Sequence, residues 1–149
     1  MNANPKFTSF HDIKLGDELL PLTIAETQET IDSARVILPD DDDHRYPNIH
    51  NDPDFAKEGL FGGTVNGGPT TMAYIVQMLE QSFSLERFYG GGRLNFKGIK
   101  PFRPGDTVTF TGKVTEKQDD KKMVRCEIKG TNQADTLMGI AEAELTFTE

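Results

Sequence analysis

One cysteine, Cys126, is all that the 149 residues contain. No internal disulfide can form, so a buried core must hold the fold, and the usage suits a reducing compartment. Long hydrophobic runs are also missing: none approaches the ~20 residues needed to cross a bilayer. The opening Met1-Asn2-Ala3-Asn4-Pro5-Lys6 lacks the apolar segment of a signal peptide. Positive charge is scarce, with 16 Lys and Arg against 24 Asp and Glu, a net charge of -8 and a pI near 4.9. Such a surface repels nucleic acid and anionic membranes and leaves only local basic patches for a phosphorylated carrier. No repeat or low-complexity linker is present, and the one biased run is Asp40 to Asp43. Tyr89-Gly90-Gly91-Gly92 lacks the lysine and hydroxyl of a phosphate loop, and no His-x-x-x-His spacing occurs, so neither a nucleotide nor a metal is expected. The expectation is one domain over residues 1–149, soluble and cytoplasmic, with a sizeable core.

What the chain does have is periodicity. Leu19 to Ala25 reads as a first strand broken by Pro21, and Thr27 as the cap of a short helix with Ile31 and Ala34 turned inward. Asp52 then Pro53 opens a second short helix with Phe55 and Ala56 as its inner face, stopped at Gly59. Pro69 starts a third, in which Met72, Ile75, Val76, Leu79 and Phe83 recur every three or four residues, the mark of a long helix with one buried stripe. After Gly90 the period falls to two. Leu94 and Phe96, then Val108, Phe110, Gly112 and Val114, then Val124, Cys126 and Ile128, then Gly139, Ala141, Ala143, Leu145 and Phe147 each mark one face of a strand. That order predicts an α+β domain in which a curved antiparallel sheet wraps one long central helix. The small residues of the last strand would let the helix lie close to the sheet. The open edges of such a sheet favour pairing between two copies, hence a homodimer.

One loop gathers hydrogen-bonding groups around a base. Tyr46-Pro47-Asn48-Ile49-His50-Asn51-Asp52 carries one of the three histidines, and Gly62-Gly63-Thr64-Val65-Asn66-Gly67-Gly68-Pro69 leads into the long helix. A neutral imidazole can move a proton, and free amides at a helix start can hold an oxygen that gains negative charge. Gly68 is suited to donate because nothing projects from its Cα and Pro69 has no N–H. Asn66, just upstream, is a candidate side-chain donor. Asn48 and Asp52 flank the histidine as candidate substrate contacts, and Asp52 is equally the N-cap of the Pro53 helix.

Phe10-His11-Asp12-Ile13-Lys14-Leu15-Gly16-Asp17, Asn48 to Ala56, Phe61 to Gly68, and Pro101-Phe102-Arg103-Pro104-Gly105-Asp106-Thr107-Val108 follow one another at spacings that resemble the MaoC-like hydratases and dehydratases. This is a hotdog-fold family that includes R-specific enoyl-CoA hydratases, and the resemblance covers nearly the whole chain. It implies a single hotdog domain acting on acyl thioesters of coenzyme A or an acyl-carrier protein, interconverting 2-enoyl and 3-hydroxyacyl forms without a metal or redox cofactor. It implies His50 as the catalytic histidine, Asp52 as the later aspartate of the site loop, and Gly68 as the glycine whose N–H binds the thioester oxygen. Lys97, Lys100 and Arg103 are candidate phosphate contacts, and one flank of the long helix would line an acyl tunnel.

The family's loop reads Asp-x-Asn-Pro-(aliphatic)-His-x-Asp. Here the slot five residues before His50 holds Arg45, and the Asn-Pro order is reversed as Pro47-Asn48. A two-residue insertion would return Asp43 to the site as the second acid–base group. Arg45 stays charged and would instead pair with a carboxylate or phosphate of the substrate. The same departure favours, as an alternative, a hotdog cyclase, isomerase or dehydratase of a specialised pathway. A non-catalytic acyl-binding subunit is the third possibility.

Overall fold

Pro21 decides where the sheet begins. It has no N–H to donate, and the chain before it meets strand 107–118 outside the regular ladder, through the Glu18–Lys113 bridge, the Leu19 N–H to the Gly112 carbonyl (2.9 Å), the Gly16 N–H to the Val114 carbonyl (2.8 Å) and the Val114 N–H to the Asp17 carbonyl (2.9 Å). The first strand proper, β1, is Leu22–Ala25, shorter than its hydrophobic pattern suggests. The structure is a computed structural model that describes residues 5–34, 46–84, 86, 87 and 90–148. Its other strands are β2 (Arg93–Gly98), β3 (Thr107–Gln118), β4 (Met123–Thr131) and β5 (Leu137–Thr146). All pair antiparallel in the order β1-β3-β4-β5-β2. The meander β3-β4-β5 forms the middle, and β1 and β2 stand at the edges.

Among the described residues, helices α1 (Gln28–Ser33), α2 (Pro53–Glu58) and α3 (Gly68–Phe83) lie between β1 and β2 in the chain. Thr27 caps α1 (Gln28–Ser33) in a reciprocal box, its hydroxyl accepting from the Thr30 N–H (3.1 Å) while the Thr30 hydroxyl accepts from the Thr27 N–H (2.9 Å). Asp52 caps α2 (Pro53–Glu58) by accepting from the Phe55 N–H (2.9 Å), and Gly59 ends it. These helices bury one side chain each, Ile31 and Ala56. Ala34 and Phe55, both expected inward, are exposed: a helix of six residues has room for little more than one inward position.

The long helix, α3, is Gly68–Phe83 with Gly67 as its N-cap, so Pro69 is its second residue rather than its first. Its buried side chains are Thr71, Ile75, Met78, Leu79, Ser82 and Phe83, a stripe that keeps Ile75, Leu79 and Phe83 of the expected one and shifts to one flank of it. Met72 is 37% exposed and Val76 half-buried, because the sheet covers the Met78–Ser82 side. Ser82 can be buried because its hydroxyl accepts from the Leu20 N–H (3.0 Å). The Phe7 N–H bonds the Ser82 carbonyl (2.8 Å), and the Phe7 and Phe83 rings stack at 5.2 Å.

Gly112 on β3 is one place where the sheet leaves room for the helix. A Cβ on Gly112 would stand 2.9 Å from Ile128 Cγ1 and 3.3 Å from Met78 Cε. Gly139 on β5 serves a different purpose, making room for the Phe96 ring, whose Cε2 would lie 2.7 Å from any added Cβ. Ala141, Ala143 and Leu145 join Val108, Phe110 and Val114 in one core cluster with the helix. Among the described residues, no helix is long and apolar enough to cross a membrane.

Candidate active site

Two segments far apart in sequence zip together at the start of α3. The Val65 N–H donates to the Ile49 carbonyl (3.1 Å), and His50 Nδ1 lies 2.7 Å from the Val65 carbonyl. A carbonyl only accepts, so the proton of a neutral His50 sits on Nδ1 and Nε2 is left with a free lone pair. Among the described residues no group bonds Nε2, and His50 lines a cavity of about 390 Å³ together with Asn66, Gly68, Thr71, Phe96 and Phe102. A proton acceptor and the opening turn of a helix therefore face one space.

The loop around the histidine is built by its own polar residues. Asn48 Oδ1 accepts from the His50 N–H (2.8 Å), and Asn51 Oδ1 accepts from the Asn48 N–H (2.9 Å). Asn48 thus shapes the turn and does not line the cavity, nor does the capping Asp52. Gln28 ties this loop to its surroundings. Its Nε2 donates to the His50 carbonyl (2.7 Å) and to Asp32 (3.0 Å), while its Oε1 accepts from the Thr64 hydroxyl (2.8 Å).

Gly68 is the first residue of α3, where an N–H has no acceptor inside the helix. The glycine segment before it is braced by Arg103, whose guanidinium donates to the Phe61 carbonyl and leaves only 3.3 Å for a Cβ on Gly63. Arg103 is therefore engaged in holding the turn, whereas Lys100 lines the cavity. Lys97 lies elsewhere, in a wider groove on the outer face of the sheet with Lys113, Glu127, Lys129 and Glu142. That groove is larger, but it has no histidine and no helix start. Asp43 and Arg45 lie outside the described residues.

Glu26 escaped the sequence reading. It follows β1 directly, is 1% exposed, and accepts from Asn66 Nδ2 (3.1 Å), the Tyr74 hydroxyl (3.1 Å) and the Thr30 hydroxyl. A charged residue between a strand end and a helix cap was the only signal available. Its effect shows in Tyr74, whose phenol is pushed up to about 12, first by burial and then by the Glu26 charge. An unfolded tyrosine ionises near pH ~10. Between that value and about 12 the unfolded chain releases a proton that the folded chain keeps, so stability falls as pH rises through the window. Alkaline absorbance titration is expected to show a late tyrosine step that Tyr74→Phe removes. The Cys126 thiol is likewise pushed up to about 12 by burial, which leaves it inert as a nucleophile.

A histidine loop laid on the opening turn of a helix, wrapped by a five-stranded antiparallel sheet, defines a hotdog domain. The chain belongs to the MaoC-like family: the model of the MaoC like domain matches residues 42–136. The R-hydratase PhaJ1 from Pseudomonas aeruginosa, solved unliganded, superposes with a TM-score of 0.74 at 20% identity, over 94% of this chain and 85% of that one. The (R)-hydratase from A. caviae involved in PHA biosynthesis gives 0.71 at 18%, over 91% and 97%. The ChsH1-ChsH2 complex from Mycobacterium tuberculosis gives 0.70 at 19%, over 90% and 98%. No curated protein sequence matches the chain.

Proposed function

We propose that the protein is a hydratase/dehydratase that interconverts 2-enoyl and 3-hydroxyacyl thioesters of coenzyme A or an acyl-carrier protein. The observation that carries this reading is the Val65 carbonyl on His50 Nδ1 (2.7 Å), which leaves Nε2 basic in the cavity that Gly68 also lines. The Gly68 N–H binds the thioester oxygen and stabilises the enolate as charge moves onto it. Nε2 takes a proton from water as its oxygen bonds C3, and C2 takes a proton from a second acid. Asp43 is that acid in this reading, returned to the site by a two-residue insertion in the loop. Lys100 faces a phosphate of the carrier. The functional unit is a homodimer in the cytoplasm, a reading supported by edge strands β1 and β2 that each pair on one side only among the described residues, and by a single reduced cysteine.

The test follows loss of the enoyl absorbance of crotonyl-CoA with purified protein. Turnover is expected, and Asp43→Asn is expected to lower kcat by about 10²-fold. No turnover of short, medium or branched enoyl thioesters would overturn the assignment, and an unaltered Asp43→Asn would remove that residue from the mechanism.

A further inference from the structure

Asn66 is a cavity-lining polar side chain whose orientation its neighbours decide. Its Nδ2 lies 3.1 Å from Glu26 Oε2 and 2.9 Å from Thr71 Oγ1. Turning the amide over would set its oxygen against a carboxylate, two acceptors with no proton between them. Glu26 cannot swing away. Tyr74 and Thr30 hold its other oxygen, its N–H bonds the Asp106 carbonyl (2.7 Å), and its carbonyl accepts from the Gly105 N–H (2.9 Å). Both amide hydrogens of Asn66 are thus committed, one to Glu26 behind the cavity wall and one to Thr71 in it, so the side chain is not the donor that its place in the sequence suggested. What it has left is Oδ1. Among the described residues nothing donates to that atom, and no buried side-chain nitrogen or oxygen lacks a partner. Oδ1 is therefore open, on a residue that lines the cavity with His50 and Gly68.

A lone acceptor facing a reaction space selects a donor. We propose that Asn66 Oδ1 is the hydrogen-bond acceptor for the adding water and for the 3-hydroxyl it becomes, with Glu26 as the positioning residue that fixes the amide. This deepens the hydratase reading and rests on it. Water has two hydrogens, and the site then has one acceptor for each: His50 Nε2 takes the proton that leaves, and Asn66 holds the one that stays on the product hydroxyl. The lone pair is left to form the bond to C3. A donor in place of Oδ1 would grip that lone pair and blunt the attack. Position 66 accordingly favours thioesters with a hydroxyl at C3 over saturated ones.

Calorimetric titration with 3-hydroxybutyryl-CoA and butyryl-CoA, beside crotonyl-CoA turnover, tests this. The parent is expected to bind the hydroxylated thioester more tightly. Asn66→Ala is expected to weaken that complex about tenfold and to leave butyryl-CoA within about twofold, the loss of one hydrogen bond. Glu26→Gln, isosteric but no longer obliging Asn66 to turn its hydrogens inward, is expected to move the same ratio in the same direction. A merely structural role would weaken both thioesters equally. A parent that turns over crotonyl-CoA but binds butyryl-CoA as tightly as the hydroxy compound overturns the role of Asn66 alone, as does an unchanged ratio in Asn66→Ala. A parent that neither turns over nor binds these thioesters overturns the hydratase reading and this inference with it.

Discussion

His50→Ala is expected to lower kcat for crotonyl-CoA hydration by about 10³-fold while leaving KM within about threefold. The split follows from how the histidine is mounted. Its backbone is held by Asn48 Oδ1 on one side and by Gln28 on the other, so removing the ring keeps these backbone bonds and costs only the Nδ1 bond to the Val65 carbonyl. In the proposed reading the thioester oxygen sits at the helix start, and Gly68, Phe96 and Phe102 line the cavity without depending on the imidazole. What disappears is the one proton acceptor whose tautomer the Val65 carbonyl fixes. Added imidazole is expected to return part of the rate, since the vacated space matches the lost ring. A fall smaller than tenfold in kcat would mean that another base does the work, and a KM that rises with kcat unchanged would make His50 a binding residue.

Phe83→Ala should produce the largest change in stability, a loss of about 3–5 kcal/mol. Phe83 is fully buried at the last turn of α3, stacked on Phe7 and set edge-on against Phe147 at 6.4 Å. Truncation leaves a void bounded by the N-terminal segment, the helix and the end of the sheet, and the two rings are tethered by their backbones, Phe7 by its N–H bond to the Ser82 carbonyl and Phe147 by its N–H bond to the Lys122 carbonyl. The loss is a large part of the ~5–15 kcal/mol that a domain of this kind has in total. Phe83 stands at the far end of the helix from Gly68, about 22 Å along the axis at the usual rise. The fraction that remains folded should therefore keep its kcat. Urea unfolding followed by circular dichroism gives the first quantity, and assays below the transition give the second. A midpoint shift worth less than about 1 kcal/mol would show that the core collapses around the gap.

Local signals were the readable ones. Thr27, Asp52 and Gly59 bound their helices because capping needs only the residues next to it, and the alternation after Gly90 places β3, β4 and β5 without knowledge of the fold. His50 and Gly68 meet at one cavity, as a base set before a helix start suggested. What could not be read depends on partners distant in sequence. Which flank of α3 is buried is decided by the sheet, so Met78 and Ser82 are inside while Met72 is not. Glu26 looks like an ordinary surface acid until residues 30, 66 and 74 bring their donors to it. Asn66 was visible as a candidate, but the way its amide faces is set by a carboxylate forty positions earlier.

The Gln28 clamp has a consequence for how such a site can diversify. Gln28 precedes residues 35–45 in the chain and His50 follows them, yet the amide of one closes directly on the carbonyl of the other. Insertions and replacements between them act on a stretch whose two ends are already tied. Changes of length or sequence in that stretch can therefore leave the histidine where the Val65 carbonyl needs it. Relatives with intervening segments of different length should keep a bridging amide at the start of α1.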